Sequence, residues 1–174
     1  MAASWQPPPG AARHRDDLTG EHPWGDLGQG LCAIAFAVVW IADAFFLNRT
    51  TFLNDRVPAG TRIPLGLVLL CLAGYLAARS LAQVFGQVPE TPAVIREGLY
   101  RVVRHPMYLG EILLYLGFLM LSLSLAAAVV WVMALLFLHR IARYEERLLL
   151  ARFGEAYAEY MRQVPMWIPR LIKR

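Results

Sequence analysis

Four apolar runs, at roughly 28–47, 63–82, 107–122 and 124–138, leave this chain little choice of fold. A bilayer core of about 30 Å takes about 20 apolar residues per crossing helix, and runs of this length and polarity are membrane segments. The composition agrees: 57% of residues are hydrophobic and the mean hydropathy is +0.43, against about 45–50% apolar in soluble domains. The expected fold is an all-α integral membrane protein with about four transmembrane helices. The last two form a tight hairpin, and cytoplasmic C-terminal helices follow. At 174 residues the chain has room for one domain. It divides into a flexible cytoplasmic N-terminal segment (1–27), two transmembrane helices (28–82) and a C-terminal region (83–174).

The third and fourth runs are the unusual pair. Pro106 can open a helix at its first turn, yet its apolar run lasts only to "LSLSL", and the fourth begins almost at once at Leu125. A hairpin whose ends extend beyond the apolar core accommodates both. The fourth helix keeps its periodicity through "LFLHRIARYEERLLLARF" and should stop near Gly154, a natural residue just past a helix end. A short amphipathic helix, "EAYAEYMRQV", precedes Pro165 and Pro169. Pro64 is expected in the first turn of the second span, where its missing N–H costs nothing. Between them, Pro58 and Gly60 read as a connecting loop, and the prolines and Gly98 of 83–105 argue against one continuous helix there. Asn48-Arg49-Thr50 fits a glycosylation pattern but abuts the membrane.

The net charge of +4 is almost all arginine, and its placement reports topology rather than nucleic-acid binding. With four spans, Arg13, Arg15, Arg79, Arg96, Arg101, Arg104 and the eight basic residues from Arg140 to Arg174 share one side. Only Arg49, Arg56 and Arg62 fall on the other. Both termini are therefore expected in the cytoplasm. Cys32 and Cys71 lie inside the first two spans as small packing residues, no zinc-type Cys/His spacing occurs, and no metal is expected. The leading residues are Pro-rich and polar, unlike a cleavable signal.

Ionisable groups inside a membrane are costly and point to function or pairing. Asp43, near the outer end of its span, is expected to reach water or pair with Arg49. Glu111, one turn into the third helix, either caps interfacial arginines or lines a polar cavity. His105 precedes a proline, so its backbone is pushed extended and its ring is held at a helix start.

Two ordered blocks surround the hairpin: "GLYRVVRHPMYLGE", then "YEERLLLARFGEAYAEYMRQVPMWIP". Gly98, Tyr100, Arg101, Arg104, His105, Pro106, Tyr108 and Gly110 make the first pattern. Glu145, Glu146, Leu149, Phe153, Gly154, Tyr157, Tyr160, Val164 and Pro165 make the second. Over roughly 90–170 the chain resembles the isoprenylcysteine carboxyl methyltransferase family and its relatives among the membrane phospholipid methyltransferases. The resemblance implies S-adenosylmethionine-dependent methyl transfer at the cytoplasmic membrane face, and makes 83–174 the cofactor-binding and catalytic region. Carried over residue by residue, it nominates His105, Tyr108, Leu109, Gly110, Glu145 and Glu146 for the cofactor, with Tyr100 and Arg104 as further members. It links Glu146 and Arg152 to catalysis.

Chemistry supports such a set. The cofactor's methionine end carries an ammonium and a carboxylate, so a pocket needs an acid (Glu145 or Glu146) and a donor (His105 or an arginine). Gly110 would let backbone approach the nucleoside, and Tyr108 offers an aromatic face to adenine or the sulfonium. Glu146 and Arg152, six apart, would lie about 120° apart on a regular helix. Partners implied are the bilayer and a lipophilic or small-molecule methyl acceptor (an isoprenylcysteine-type carboxylate, a thiol or an amine), with no nucleic acid. An NADPH-dependent sterol-type reductase is the alternative. Those enzymes share His-Pro-x-Tyr-x-Gly-Glu, which Glu111 fits, but they usually carry asparagine where Met107 stands.

Overall fold

The computed structural model describes residues 25–86 and 94–169. Most of the expected N-terminal lead-in, the centre of the 83–105 connector and the last basic residues lie outside them. Helix α1 (Gly25–Ile41) runs on through a π-helical turn (Ala42–Leu47), and a 3₁₀ turn follows at Phe52–Asp55. Helix α2 is Ala59–Gly86, and a second 3₁₀ turn sits at Gly98–Arg101. Helices α3 (Pro106–Ser122), α4 (Leu125–Phe153) and α5 (Glu155–Gln163) complete the described chain. Every described element is helical, as a lipid solvent that offers no hydrogen bonds requires of spanning segments.

Among the described residues, three helices are long and apolar enough to cross a membrane: Gly25–Leu47, Ala59–Val84 and Leu125–Phe153. Their outer faces carry exposed Ile34, Val38, Val68 and Met133, which is the surface of an integral membrane protein rather than of a soluble bundle. Helix α3 has 17 residues, about 25 Å of rise, and falls short of a full crossing by that measure. Leu123, with φ of 45°, and Ser124 are the whole connection between α3 and α4. Ser124 caps α4 by accepting from the Ala127 N–H at 3.2 Å.

Two expectations are corrected here. Helix α2 begins at Ala59, so Pro64 lies beyond the first turn and leaves the Gly60 carbonyl without its i+4 partner. Asp43 neither reaches water nor pairs with the Arg49 guanidinium. It is 3% exposed, and its Oδ1 accepts from the backbone N–H groups of Arg49 and Thr50, both at 3.1 Å. Its Oδ2 accepts from the Thr50 hydroxyl and from Ser124 Oγ, the latter at 2.6 Å. Asp43 therefore pins the outer end of α1 to the start of α4, with its charge satisfied four times over.

Helices α2 and α3 approach closely because glycines face each other. A Cβ on Gly66 would stand 2.9 Å from the Gly117 carbonyl oxygen, and one on Gly117 would stand 3.2 Å from that of Gly66. In lipid, where apolar burial gives no drive, such close backbone packing is a main source of helix association. Helix α1 instead packs on α4, with Phe36 and Ala134 buried between them and Tyr115 and Leu119 of α3 joining. Trp40 ties α1 to the end of α3 through Nε1–H donations to the Phe118 carbonyl and Ser122 Oγ.

Gly66→Val should lower the unfolding free energy in detergent by about 1–3 kcal/mol, because backbone cannot yield to the added atoms. Gly74→Ala, where a Cβ meets nothing within 4 Å, should be neutral or stabilising. Equal melting of both variants would contradict this packing.

Candidate functional site

The loop entering α3 is shaped by its own residues. Gly98 takes φ of +55° as the first residue of the 3₁₀ turn. His105, before Pro106, sits at φ −124° and ψ 65°, off the helical region as a pre-proline residue must be. This brings Tyr100, Arg104, His105 and Tyr108 to the basic end of α4, whose Glu145 and Glu146 meet them.

Arg104 is the hub. Its Nε donates to Glu146 Oε1 at 2.7 Å, and its Nη1 donates to the carbonyls of Met161 and Val164 at 2.9 Å each. Its backbone N–H donates to the Pro165 carbonyl at 3.0 Å. Glu146 is 2% exposed, and His105 Nε2 stands 3.3 Å from the same Oε1. His105 Nδ1 is 3.9 Å from Glu145 Oε2, while the Tyr108 hydroxyl donates to Glu145 Oε1. The His105 ring stacks on Tyr108 with centroids 5.7 Å apart and planes 7° from parallel. Trp167 packs near the same histidine ring at 5.8 Å.

These groups border a cavity of about 190 Å³. Tyr100, Arg104, His105, Tyr108 and Glu145 give its polar wall, with Leu149 and Phe153 apolar beside them. The first turn of α1 adds Asp26 and Gln29, and α5 adds Tyr157 and Tyr160. Burial, with the Glu145 charge second, pushes the Tyr100 hydroxyl up to about 12. Burial likewise raises Tyr157 and Tyr160. All three stay phenols at neutral pH. Tyr160 donates its proton to the Tyr100 carbonyl at 2.6 Å.

Of the residues singled out in the sequence, the structure gathers Tyr100, Arg104, His105, Tyr108 and Glu145 at the cavity, with Glu146 behind Arg104 and His105. Four others lie elsewhere. Gly110 turns to α2, where a Cβ would meet the Ala73 carbonyl oxygen at 3.3 Å and Leu76 Cβ at 3.4 Å. It is a helix-packing glycine and is not part of the cavity lining. Leu109 is half-buried on α3 and does not line the cavity. Arg152 is exposed, with its guanidinium against the Phe153 ring at 5.5 Å, so Glu146 and Arg152 do not converge. Glu111 neither caps an arginine nor lines this cavity; it accepts from Tyr115 one turn along α3.

Sequence reasoning missed Asp26, Gln29 and Trp167. The first two come from a helix without any diagnostic residue, and nothing in spacing marks them. Tyr157 and Tyr160 were visible in the pattern, and their i, i+3 spacing on an amphipathic helix could have nominated them.

A phospholipid methyltransferase family model matches residues 61–156, more than half of the chain. Methanethiol S-methyltransferase 2 of Bradyrhizobium diazoefficiens is 34% identical over 99 residues, covering 53% of this chain and 33% of its own. A Delta(14)-sterol reductase of Mus musculus is 28% identical over 158 residues, covering 79% and 38%. Among solved structures, the eukaryotic intramembrane Ras methyltransferase ICMT (isoprenylcysteine carboxyl methyltransferase) superposes with a TM-score of 0.58 at 22% identity. That match covers 80% of this chain and 51% of the other and shows a shared fold. The chain spans about a third of the length of these curated relatives and about half of the solved chain.

Arg104→Lys should destabilise the protein by about 3 kcal/mol or more, since an ammonium cannot hold a buried carboxylate and two carbonyls in one fork. The double variant Arg104→Met/Glu146→Leu should be less destabilised than either single change, because it leaves no buried charge alone. Thermal unfolding in detergent measures both, and additive losses would contradict the pairing.

Proposed function

The chain belongs to the phospholipid methyltransferase family, and on that footing we propose that it transfers a methyl group from S-adenosylmethionine to a small or lipid-like acceptor at the cytoplasmic membrane face. In this reading α3 and α4 act as a hairpin within the membrane, giving four membrane helices and cytoplasmic termini. The fourteen-to-three arginine and lysine asymmetry supports that orientation.

The electrostatics of the cavity carry the proposal. Its described lining holds two acids, Glu145 and Asp26, and one cation, Arg104. Two of the three nitrogens of the Arg104 guanidinium, Nε and Nη1, are already committed to Glu146 and two carbonyls. Such a wall suits a ligand with cationic groups, an ammonium and a sulfonium, and suits a polyanion poorly. NADPH brings a pyrophosphate and a further phosphate, and the described lining offers them no arginine or lysine besides the partly committed Arg104. The reductase reading is the weaker for this reason, although a reductase is among the relatives.

The residues present fit the cofactor. Glu145 would take the ammonium, the His105 ring N–H would serve the carboxylate, and the faces of Tyr100 and Tyr108 would flank the cation. Glu146 acts as a positioning residue, holding Arg104 and His105 in place from below. Bound S-adenosylmethionine supplies an already activated methyl, so the protein's part is orientation and exclusion of water. A carboxylate acceptor needs no proton removed. A thiol or amine would have to lose one as the methyl is transferred. The first turn of α1 and Val84 of α2 border the same cavity, and exposed Leu27 and Leu31 continue outward from it. An acceptor with an apolar tail would enter along that side, from the bilayer.

In detergent, S-adenosylmethionine or its demethylated product should raise the melting temperature, and Glu145→Gln should weaken that binding at least about tenfold, the worth of one charge-assisted contact. A shift with NADPH and none with either methionine compound would overturn the assignment.

A further inference from the structure

Helix α4 changes character along one outward face. Val129, Met133 and Leu136 are exposed and apolar there. Arg140, Arg143 and Arg147 are exposed and basic further along. At about 100° per residue all six side chains fall within an arc of about 80°, so the apolar and basic parts form one continuous stripe. The switch marks where hydrocarbon ends. Counting about 1.5 Å per residue from Leu136, Arg140 lies roughly 6 Å and Arg143 roughly 10 Å beyond it. That is the headgroup layer, and Arg147 reaches its outer rim.

The level is marked a second time by the segment after α5. The Trp167 indole N–H donates to His139 Nδ1 at 3.2 Å, beside Arg140, and the neighbouring Ile168 is 80% exposed. A tryptophan and an exposed isoleucine belong at a membrane–water boundary. A merely solvated helix face would intersperse acids among its arginines. The acids of α4, Glu145 and Glu146, are both buried and turned inward, while Glu155 and Glu159 of α5 are paired with Arg162. Arg140 makes no ion pair among the described residues, and Arg147 rests on the Tyr144 ring at 5.6 Å. Arg143 alone touches the interior, with Nη1 4.0 Å from Glu146 Oε2, an oxygen that accepts no hydrogen bond within the described structure.

We propose that this face of α4 binds the headgroups of anionic phospholipids, with phosphate oxygens shared among Arg140, Arg143 and Arg147. The bilayer is thereby a specific ligand as well as a solvent, and Arg143 joins its charge to the Glu146 that organises the cavity. The inference rests on membrane embedding and charge placement, independently of the methyl-transfer reading.

The test titrates the purified full chain in detergent with phosphatidylglycerol or phosphatidylcholine and counts retained lipids by native mass spectrometry, at low and high salt. Wild type should prefer phosphatidylglycerol. The triple variant Arg140→Gln/Arg143→Gln/Arg147→Gln should lose at least about tenfold of that preference, the matching triple lysine variant should keep most of it, and high salt should erode it. Should the triple glutamine variant fail to fold, Arg140→Gln/Arg147→Gln, which leaves the contact to Glu146 intact, decides the matter. Retained preference in the glutamine variants would overturn the proposal. So would an equal loss in Arg49→Gln/Arg56→Gln, at the opposite end of the helices.

Discussion

One buried guanidinium organises the half of the molecule that carries the cavity. Arg104 joins the loop before α3, the Glu146 carboxylate of α4, the last turn of α5 and the segment beyond it, all through hydrogen bonds of 2.7–3.0 Å. A buried ion pair gains stability only when its remaining donors and acceptors are also met, because desolvation of each ion costs several kcal/mol. Arg104 spends Nε and Nη1 on that requirement, and Glu146 Oε2 is left with only the Arg143 guanidinium 4.0 Å away. The described lining of the cavity sets two acids, Glu145 and Asp26, against Arg104, whose charge is shared with Glu146 behind it.

The rest of the fold answers to lipid. With no apolar drive between helices, association falls to close backbone contact and to shielded polar bonds. Gly66 against Gly117 and Gly110 against Ala73 supply the first along α2 and α3. The Asp43 cluster and the Trp40 bonds supply the second at the far end, away from the cavity. The molecule is thus fastened at both ends by buried polar clusters, the Asp43 cluster at one and the Arg104–Glu146 pair at the other.

Helix existence, the two-residue link at Leu123 and Ser124, the stop at Gly154 and the clustering of Tyr100, Arg104, His105, Tyr108 and Glu145 were all legible in the sequence. The helices, the link and the stop depend on local chemistry, apolar periodicity and a glycine past a helix end, whereas the cluster is what the family resemblance of the two motif blocks implies. What was not legible depends on which neighbour a helix face meets. Gly110 looked like room for a ligand and proved to be room for α2. Glu145 and Glu146 are adjacent, so spacing alone cannot tell which enters the cavity and which enters the hub; only the position of Arg104 decides it. Arg152, six residues past Glu146, keeps the angular offset of a regular helix because α4 has no kink residue to bring it round. Asp43 reads in the sequence as reaching water or pairing with Arg49, because the N–H and O–H groups that satisfy it come from Arg49 and Thr50 just after it and from the Ser124 hydroxyl at the start of α4.

The same hub explains why the segment after α5 matters to the site. Pro165 and Val164 accept from Arg104, and two residues on, Trp167 touches both the His105 ring and His139 on α4. On the lipid-binding proposal, Trp167 and the arginine stripe set the position at the membrane boundary, and Trp167 connects that position to the histidine that faces the cavity. A site at a bilayer edge has to hold a polar ligand on one side and admit an apolar one from the other. Tying its polar wall to residues that sense the boundary keeps the two in register, which a site built on free loops would not do.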